Sequence, residues 1–174
     1  YPSQHKVLNK FIISDSGEQK ITNLQEVSQN TATLTEVLRQ NGYRTGGFTG
    51  GAGVHHQFGF DQGFEVYTDD KNFAGFEYSA PKALEWIQEH KNEKLFVFLH
   101  GYDIHGQFVP KDGYDYRFVD FDYQGTLTGS KEEQKELREE GLARGQLFLT
   151  QDDVRFLTAL YDEKVSRADD QFAK

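Results

Sequence analysis

The sequence of 174 residues contains no cysteine, no methionine and only three prolines. Without cysteine there can be no disulfide, no thiolate metal site and no cysteine nucleophile. No apolar run approaches the roughly 18 residues that a membrane-spanning helix needs. The chain has 28 acidic residues against 19 Lys and Arg, and its net charge of −9 disfavours nucleic-acid binding, which requires a cationic surface. We therefore expect neither a membrane span nor a nucleic-acid partner.

Large apolar side chains, in contrast, are plentiful. Fifteen Phe and nine Tyr bring the aromatic content to 14%, which is enough apolar surface for a core. The length suits one domain. Because position 1 is Tyr and no Met occurs, we expect a processed chain or a piece of a longer protein. The last helical pattern runs to Lys174 without a stop signal, which favours the piece.

Helical and strand patterns alternate in the first part of the chain. A helix is predicted over 33–41, because Thr33 and Glu36 have the spacing of a capping box. A short strand over 43–49 then leads into a loop rich in glycine. A second helix is predicted over 79–90, capped by Ser79.

Between Lys94 and His100 the five residues Leu95–Leu99 are all apolar, which is typical of a strand covered on both faces. We predict that Lys94–Leu99 forms a central strand of the sheet. The order of helix, strand, helix and strand predicts an α/β fold of three αβα layers around a mainly parallel sheet.

The second part of the chain begins with a long aromatic and polar loop over 106–130. A charged helix follows over 131–143. The last helix is predicted from Thr150, with Asp153 as its capping partner. A stripe of six residues recurs along this helix at intervals of three and four, and would cover one face of a sheet. The stripe consists of Val154, Leu157, Tyr161, Val165, Ala168 and Phe172.

Two clusters of polar residues are candidates for chemistry. His100, Asp103 and His105 follow the buried strand, and ligands of open α/β sheets bind outside the carboxyl ends of strands. Imidazole titrates near neutral pH, so these residues suit proton transfer or anion binding, although a structural contact between His and Asp is an equal alternative. His55 and His56 end the glycine-rich loop. In an extended backbone one would face the site and the other would point away. With no third histidine at ligand spacing, we predict no metal site in this chain.

Six segments form an ordered set of motifs along the chain: Gly42–Thr45, Phe58–Phe64, Phe96–His100, Tyr102–His105, Leu160–Val165 and Asp169–Gln171. With these motifs the sequence resembles the sulfatases, the formylglycine-dependent branch of the alkaline phosphatase superfamily. The family pattern is a helix, G-Y-x-T, a strand and loop, G-F-D-x-G-F, a helix, an apolar strand, D-x-H, and a late helix with Y-D-x-x-V-x-x-x-D.

The resemblance also implies where the chain lies within the family's catalytic domain. Tyr1–Val7 looks like the end of the T-G-x-Y-P-x-x-H stretch that follows the nucleophile helix in sulfatases. Residues 1–174 would then be an incomplete central part of a single sulfatase catalytic domain. The formylglycine and the ligands of the calcium ion would lie outside this chain, and the remainder of the parent chain would be its partner. This piece alone would be inactive.

Several residue roles come with the resemblance. His105 matches the D-x-H histidine, so we expect it to protonate the leaving group or to stabilise sulfate charge. Many sulfatases continue G-Y-x-T with G-K-W-H-L-G, whose Lys and His bind sulfate. Here that Lys is missing, so either His55 or His56 would replace it or groups outside this chain would hold the sulfate. Asp103 and His100 are further candidates for substrate binding.

The resemblance implies a sulfuric ester hydrolase acting on a small-molecule or carbohydrate sulfate ester, in the periplasm or secreted. Two alternatives stay open. One is a phosphoester hydrolase or phosphoethanolamine transferase of the same superfamily, with Thr or Ser as the nucleophile. The other is a binding domain that keeps the scaffold without catalysis.

Overall fold

A computed structural model of the chain describes residues 10–13, 19–23, 26–109, 116–145 and 148–173, with side chains from residue 26 onward except at 142 and 143. The chain forms two compact units, one ending at Gly101 and the other beginning at Tyr102. The Tyr1–Val7 stretch lies outside the described residues.

The first unit is built on a parallel sheet of three strands. The strands are β3 (Tyr43–Phe48), β4 (Val66–Thr68) and β5 (Lys94–Leu99), in the order β4-β3-β5. Both neighbours of β3 run parallel to it. A separate antiparallel hairpin precedes them, formed by β1 (Lys10–Ile13) and β2 (Gln19–Asn23).

Two α-helices are described in this unit, one before β3 and one between β4 and β5 along the chain. Helix α1 spans Leu34–Gln40, and its predicted capping box is confirmed: the Thr33 hydroxyl accepts from the Glu36 amide, and the Glu36 carboxylate accepts from the Thr33 amide. Helix α2 spans Phe76–Glu89 and begins three residues before the predicted start. Gly75 is the N-cap in place of the predicted Ser79, and Pro81, a residue type that favours the first turn, lies further inside the helix.

Side chains cover both faces of the parallel sheet. On one face Phe48 packs against Trp86 of α2, with ring centroids 5.9 Å apart, and Ala83 completes the buried cluster. On the other face Phe64 stacks on Phe96 of β5 at 6.0 Å. The core of this unit therefore lies on both sides of β3 and β5.

Strand β5 lies at an edge of the three-stranded sheet that the described residues form, so the prediction of a central position is wrong there. Its apolar run has a different cause. Leu95 and Val97 pack towards α2, whereas Phe96 and Phe98 pack around Phe64. An apolar run without alternation therefore indicates that both faces of the strand are covered. It does not indicate how many other strands pair with it.

The described residues of the second unit form two α-helices. Helix α3 (Lys131–Arg138) continues into a π-helical turn over Glu139–Ala143, in agreement with the predicted charged helix. Helix α4 spans Gln151–Phe172. Its predicted capping box is confirmed between Thr150 and Asp153.

Burial along α4 does not follow the predicted stripe. Val154 and Phe172 are 50% and 63% exposed, whereas Glu163 and Lys164 are only 3% and 8% exposed. The buried charges have a local reason, because both serve backbone groups of the loop before α3. The Glu163 carboxylate, for example, accepts from the Phe118 amide. Backbone polar groups that a helix buries require hydrogen-bond partners, and charged side chains of the helix can supply them.

Within the described residues, every helix is too short or too polar to cross a lipid bilayer.

Candidate functional site

The carboxyl ends of the three parallel strands lie at one edge of the sheet, where Thr49, Asp69 and His100 follow them directly. The Thr49 amide and hydroxyl both donate to the carbonyl oxygen of Thr68, each at 2.9 Å. The His100 amide donates to the carbonyl oxygen of Phe48, also at 2.9 Å. The three segments therefore stay in register one residue beyond the strands, at the edge where α/β sheets bind ligands.

The glycine-rich loop after β3 is held closely against the segment after β4. Gly51 has φ +70°, and a Cβ there would lie 1.7 Å from the carbonyl oxygen of Lys71. Only glycine permits both that backbone conformation and that approach. The Tyr67 hydroxyl donates to the carbonyl oxygen of Val54 at 2.6 Å, directly before the histidine pair. Each contact limits the movement of the loop.

His55 and His56 are thereby brought to one carboxylate, that of Asp69. The His56 Nδ1 atom lies 2.8 Å from Oδ2 and 3.1 Å from Oδ1, and the His56 amide also donates to Oδ2, at 2.5 Å. The His55 Nδ1 atom lies 3.6 Å from the same Oδ2. The two imidazole rings lie side by side, with centroids 4.2 Å apart.

The expectation that one histidine would point away is wrong. His55 has extended dihedral angles, but His56 begins a short 3₁₀ helix, so the alternation of an extended strand does not apply. Sequence reasoning also missed Asp69. It lies 13 residues from His56, and only the pairing of β4 with β3 brings it to the loop. A polar residue directly after a predicted strand is the signal that would have suggested it.

A second polar cluster lies beside Asp69. The Asp70 carboxylate accepts from the Tyr78 hydroxyl, and the Lys82 ammonium lies 3.1 Å from it. The Tyr78 hydrogen bond, followed by the Lys82 hydrogen bond, lowers the pKa of Asp70 to about 2. Asp70 is therefore ionised at neutral pH and fixes the start of α2 against the end of β4.

The other predicted site residues belong to the two units separately. His100 lies in the first unit, where its ring stacks on Phe98 at 6.2 Å. Asp103 and His105 lie in the second unit, in a turn where the His105 amide donates to the carbonyl oxygen of Tyr102. His105 is exposed and Asp103 is half-buried. The His105 ring meets the Tyr102 ring edge-on at 5.4 Å, so it is not packed in a core.

The turn that carries His105 is fastened to helix α4. The buried Lys164 ammonium donates to the carbonyl oxygens of His105 and Gln107, at 3.0 and 3.1 Å. It also lies 5.7 Å from the centroid of the Phe108 ring. Lys164 was not among the predicted site residues, because the contact spans 59 positions and a lysine in a helix is ordinarily exposed.

Comparison with known families decides the identity of this chain. The family model described as Sulfatase matches residues 2–174. The chain belongs to the sulfatase family. Searches among curated proteins and among solved structures each found no match. Family membership, together with the parallel sheet and its helices, confirms the predicted α/β class and the sulfatase resemblance.

The sulfatase family generally uses a metal ion and a formylglycine. Among the described residues, one group of three side chains could hold a metal ion, namely His55, His56 and Asp69. Calcium takes six to eight oxygen ligands, so two imidazoles and one carboxylate do not fit it. The sequence also has no cysteine from which a formylglycine could form.

Proposed function

We propose that this chain is part of the catalytic domain of a sulfuric ester hydrolase that cleaves sulfate monoesters of small molecules or carbohydrates. The observation that carries the proposal is the match of the sulfatase family over residues 2–174. The polar edge formed by Thr49, Asp69 and His100 supports it, since that edge of a parallel sheet is where substrates bind.

In this proposal His105 protonates the leaving alcohol oxygen when the sulfate ester is cleaved. Two observations support that role: the side chain is exposed, and its backbone is held by Lys164. A general acid must reach the oxygen it protonates and must keep its position, and a fastened turn provides the second condition. Asp103 lies two residues earlier in the same turn and would orient the ring or contact substrate.

His55, His56 and His100 are proposed to contact the sulfate group or its surroundings. Their positions support this role. His55 and His56 lie in the loop that follows β3, and His100 directly follows β5, so all three come after the carboxyl end of a parallel strand. The first two face the Asp69 carboxylate, so each would approach an anion with that negative charge beside it.

We further propose that calcium and formylglycine come from polypeptide outside these residues, so that the 174-residue chain alone cleaves no sulfate ester. The test compares hydrolysis of an aryl sulfate and an aryl phosphate by this chain, with and without the polypeptide that carries the nucleophile. Sulfate hydrolysis that requires both parts supports the proposal. Turnover by this chain alone contradicts the division of the site, and a preference for phosphate contradicts the substrate class.

A further inference from the structure

His55, His56 and Asp69 bring three metal-binding groups to one point. One ligand atom from each residue lies within 4.8 Å of the others. With metal–ligand bonds of about 2.0–2.2 Å, the ligands of a tetrahedral zinc ion lie about 3.3–3.6 Å apart. The 3.6 Å between His55 Nδ1 and Asp69 Oδ2 already has that length. The 2.8 Å contact of His56 would have to open by about half an ångström, as it would when an ion replaces a shared proton.

The electrostatics of the group favour a cation. The Asp69 side chain is 10% exposed, and its carboxylate faces two imidazoles. The Gln57 amide donates to His55 Nδ1 at 3.2 Å, so this nitrogen is unprotonated, and an ion would take over its lone pair from that hydrogen bond. A lone pair beside a carboxylate attracts a positive ion. The His56 side chain, 58% exposed, leaves the group open to an ion from solvent.

The surrounding contacts hold this group in place before any ion arrives. The His56 amide fixes the Asp69 carboxylate, as outer hydrogen bonds fix the ligands of metal sites. The Tyr67 hydroxyl fixes the carbonyl group of Val54. The loop therefore does not have to be ordered by the ion, which lowers the cost of binding.

We propose that His55, His56 and Asp69 bind one divalent transition-metal ion, with Zn²⁺ as the best match, and leave one coordination position open. Two imidazoles and a carboxylate are a donor set that zinc takes in sites that keep an open position, whereas calcium and magnesium prefer oxygen ligands. The proposed site differs from the calcium site that the family implies. The bound ion would add a positive charge at the edge of the sheet, where the family's sulfate-binding Lys is missing.

The test is direct binding of Zn²⁺ to the full chain, measured by competition with a chromophoric chelator. We expect one ion per chain. Asp69→Asn and His56→Gln should each lower the affinity for Zn²⁺. The decrease should exceed roughly 10–100-fold, which is the effect of losing a hydrogen-bond partner outside the ligand shell. His90→Gln is the matched control, because His90 pairs with Glu93 before the start of β5 and its replacement should leave the affinity unchanged. Absence of stoichiometric binding overturns the proposal, as does equal affinity in Asp69→Asn.

A second measurement covers the case in which a variant fails to fold, as judged by circular dichroism. X-ray absorption of the zinc-loaded unmodified chain should show two imidazole ligands together with oxygen ligands. A shell without imidazole overturns the proposal. Neither measurement uses sulfate hydrolysis, so the metal site and the proposed enzymatic function can fail independently.

Discussion

The ammonium group of Lys164 donates to the backbone carbonyl oxygen of His105 at 3.0 Å, across 59 positions of the chain. The same group reaches the carbonyl oxygen of Gln107, so one side chain of α4 holds both ends of a short turn. Lys164 is 8% exposed. An ammonium group buried to this extent requires hydrogen-bond acceptors, and these two carbonyl oxygens supply them.

Replacing Lys164 by Met should destabilise the second unit. The change leaves two carbonyl oxygens without this donor, and a buried polar group without a partner costs about 1–3 kcal/mol. Urea denaturation measures the loss, and amide hydrogen exchange should quicken at residues 105–108. Lys135→Met is the matched control, because Lys135 is exposed and pairs with Glu139 on the helix surface. Equal effects of the two changes would show that Lys164 does not hold the turn.

Replacing His105 by Ala should lower sulfate ester turnover in the assembled enzyme by roughly 10²–10⁴-fold, the usual contribution of a placed acid. The Michaelis constant should change much less. The loss should shrink for substrates with acidic leaving groups, since these need little protonation. Steady-state kinetics on a series of aryl sulfates measures both effects, with His90→Ala as a control. Unchanged turnover on a poor leaving group would remove His105 from the reaction.

Replacing Gly51 by Ala should unfold the glycine-rich loop or destabilise the first unit strongly. Its new methyl group would meet the Lys71 carbonyl oxygen at 1.7 Å, and displacing a packed neighbour costs about 1–3 kcal/mol in addition to the strain of a positive φ. Gly42→Ala isolates the strain, because Gly42 has φ +81° and open space around it. Denaturant midpoints of the two variants compare these costs. A Gly51 variant no less stable than the Gly42 variant would contradict the close approach.

Replacing Tyr78 by Phe should raise the pKa of Asp70 from about 2 towards its ordinary value of 3.8, because the Tyr78 hydrogen bond is the main cause of the low pKa. In the native chain the ionised carboxylate contributes stability above the unfolded pKa. That contribution is lost as pH falls from 3.8 to about 2. Carboxyl NMR titration measures the pKa. Tyr43→Phe is the control. Tyr43 is the first residue of β3, so its replacement should leave the pKa of Asp70 unchanged.

Sequence reasoning succeeded where structure is set by near neighbours. The capping boxes of Thr33 and Thr150 each depend on four consecutive residues, and both occur as predicted. The strand over Lys94–Leu99 was also found, because a run of large apolar residues is a strong local signal. Its place at the sheet edge was not, since strand order depends on which distant segments pair.

The site was foreseen in part for the same reason. His55 and His56 were singled out as a pair, but Asp69, which faces them, approaches through the pairing of two strands. Likewise, the apolar stripe along α4 failed because Glu163 and Lys164 turn inward to serve backbone groups of a distant loop. A burial pattern that includes such partners cannot be read from helical periodicity, which assumes that only apolar residues turn inward.

The packing of Trp86 gives this chain a built-in optical reporter. It is the one tryptophan of the sequence, is 6% exposed, and lies 4.8 Å from the His90 ring. Its fluorescence therefore follows the melting of the unit that ends at Gly101, while helical circular dichroism is weighted towards α4 of the other unit. Recorded on one sample, the two signals follow the unfolding of the first unit and of the second unit separately, without any label or added chromophore.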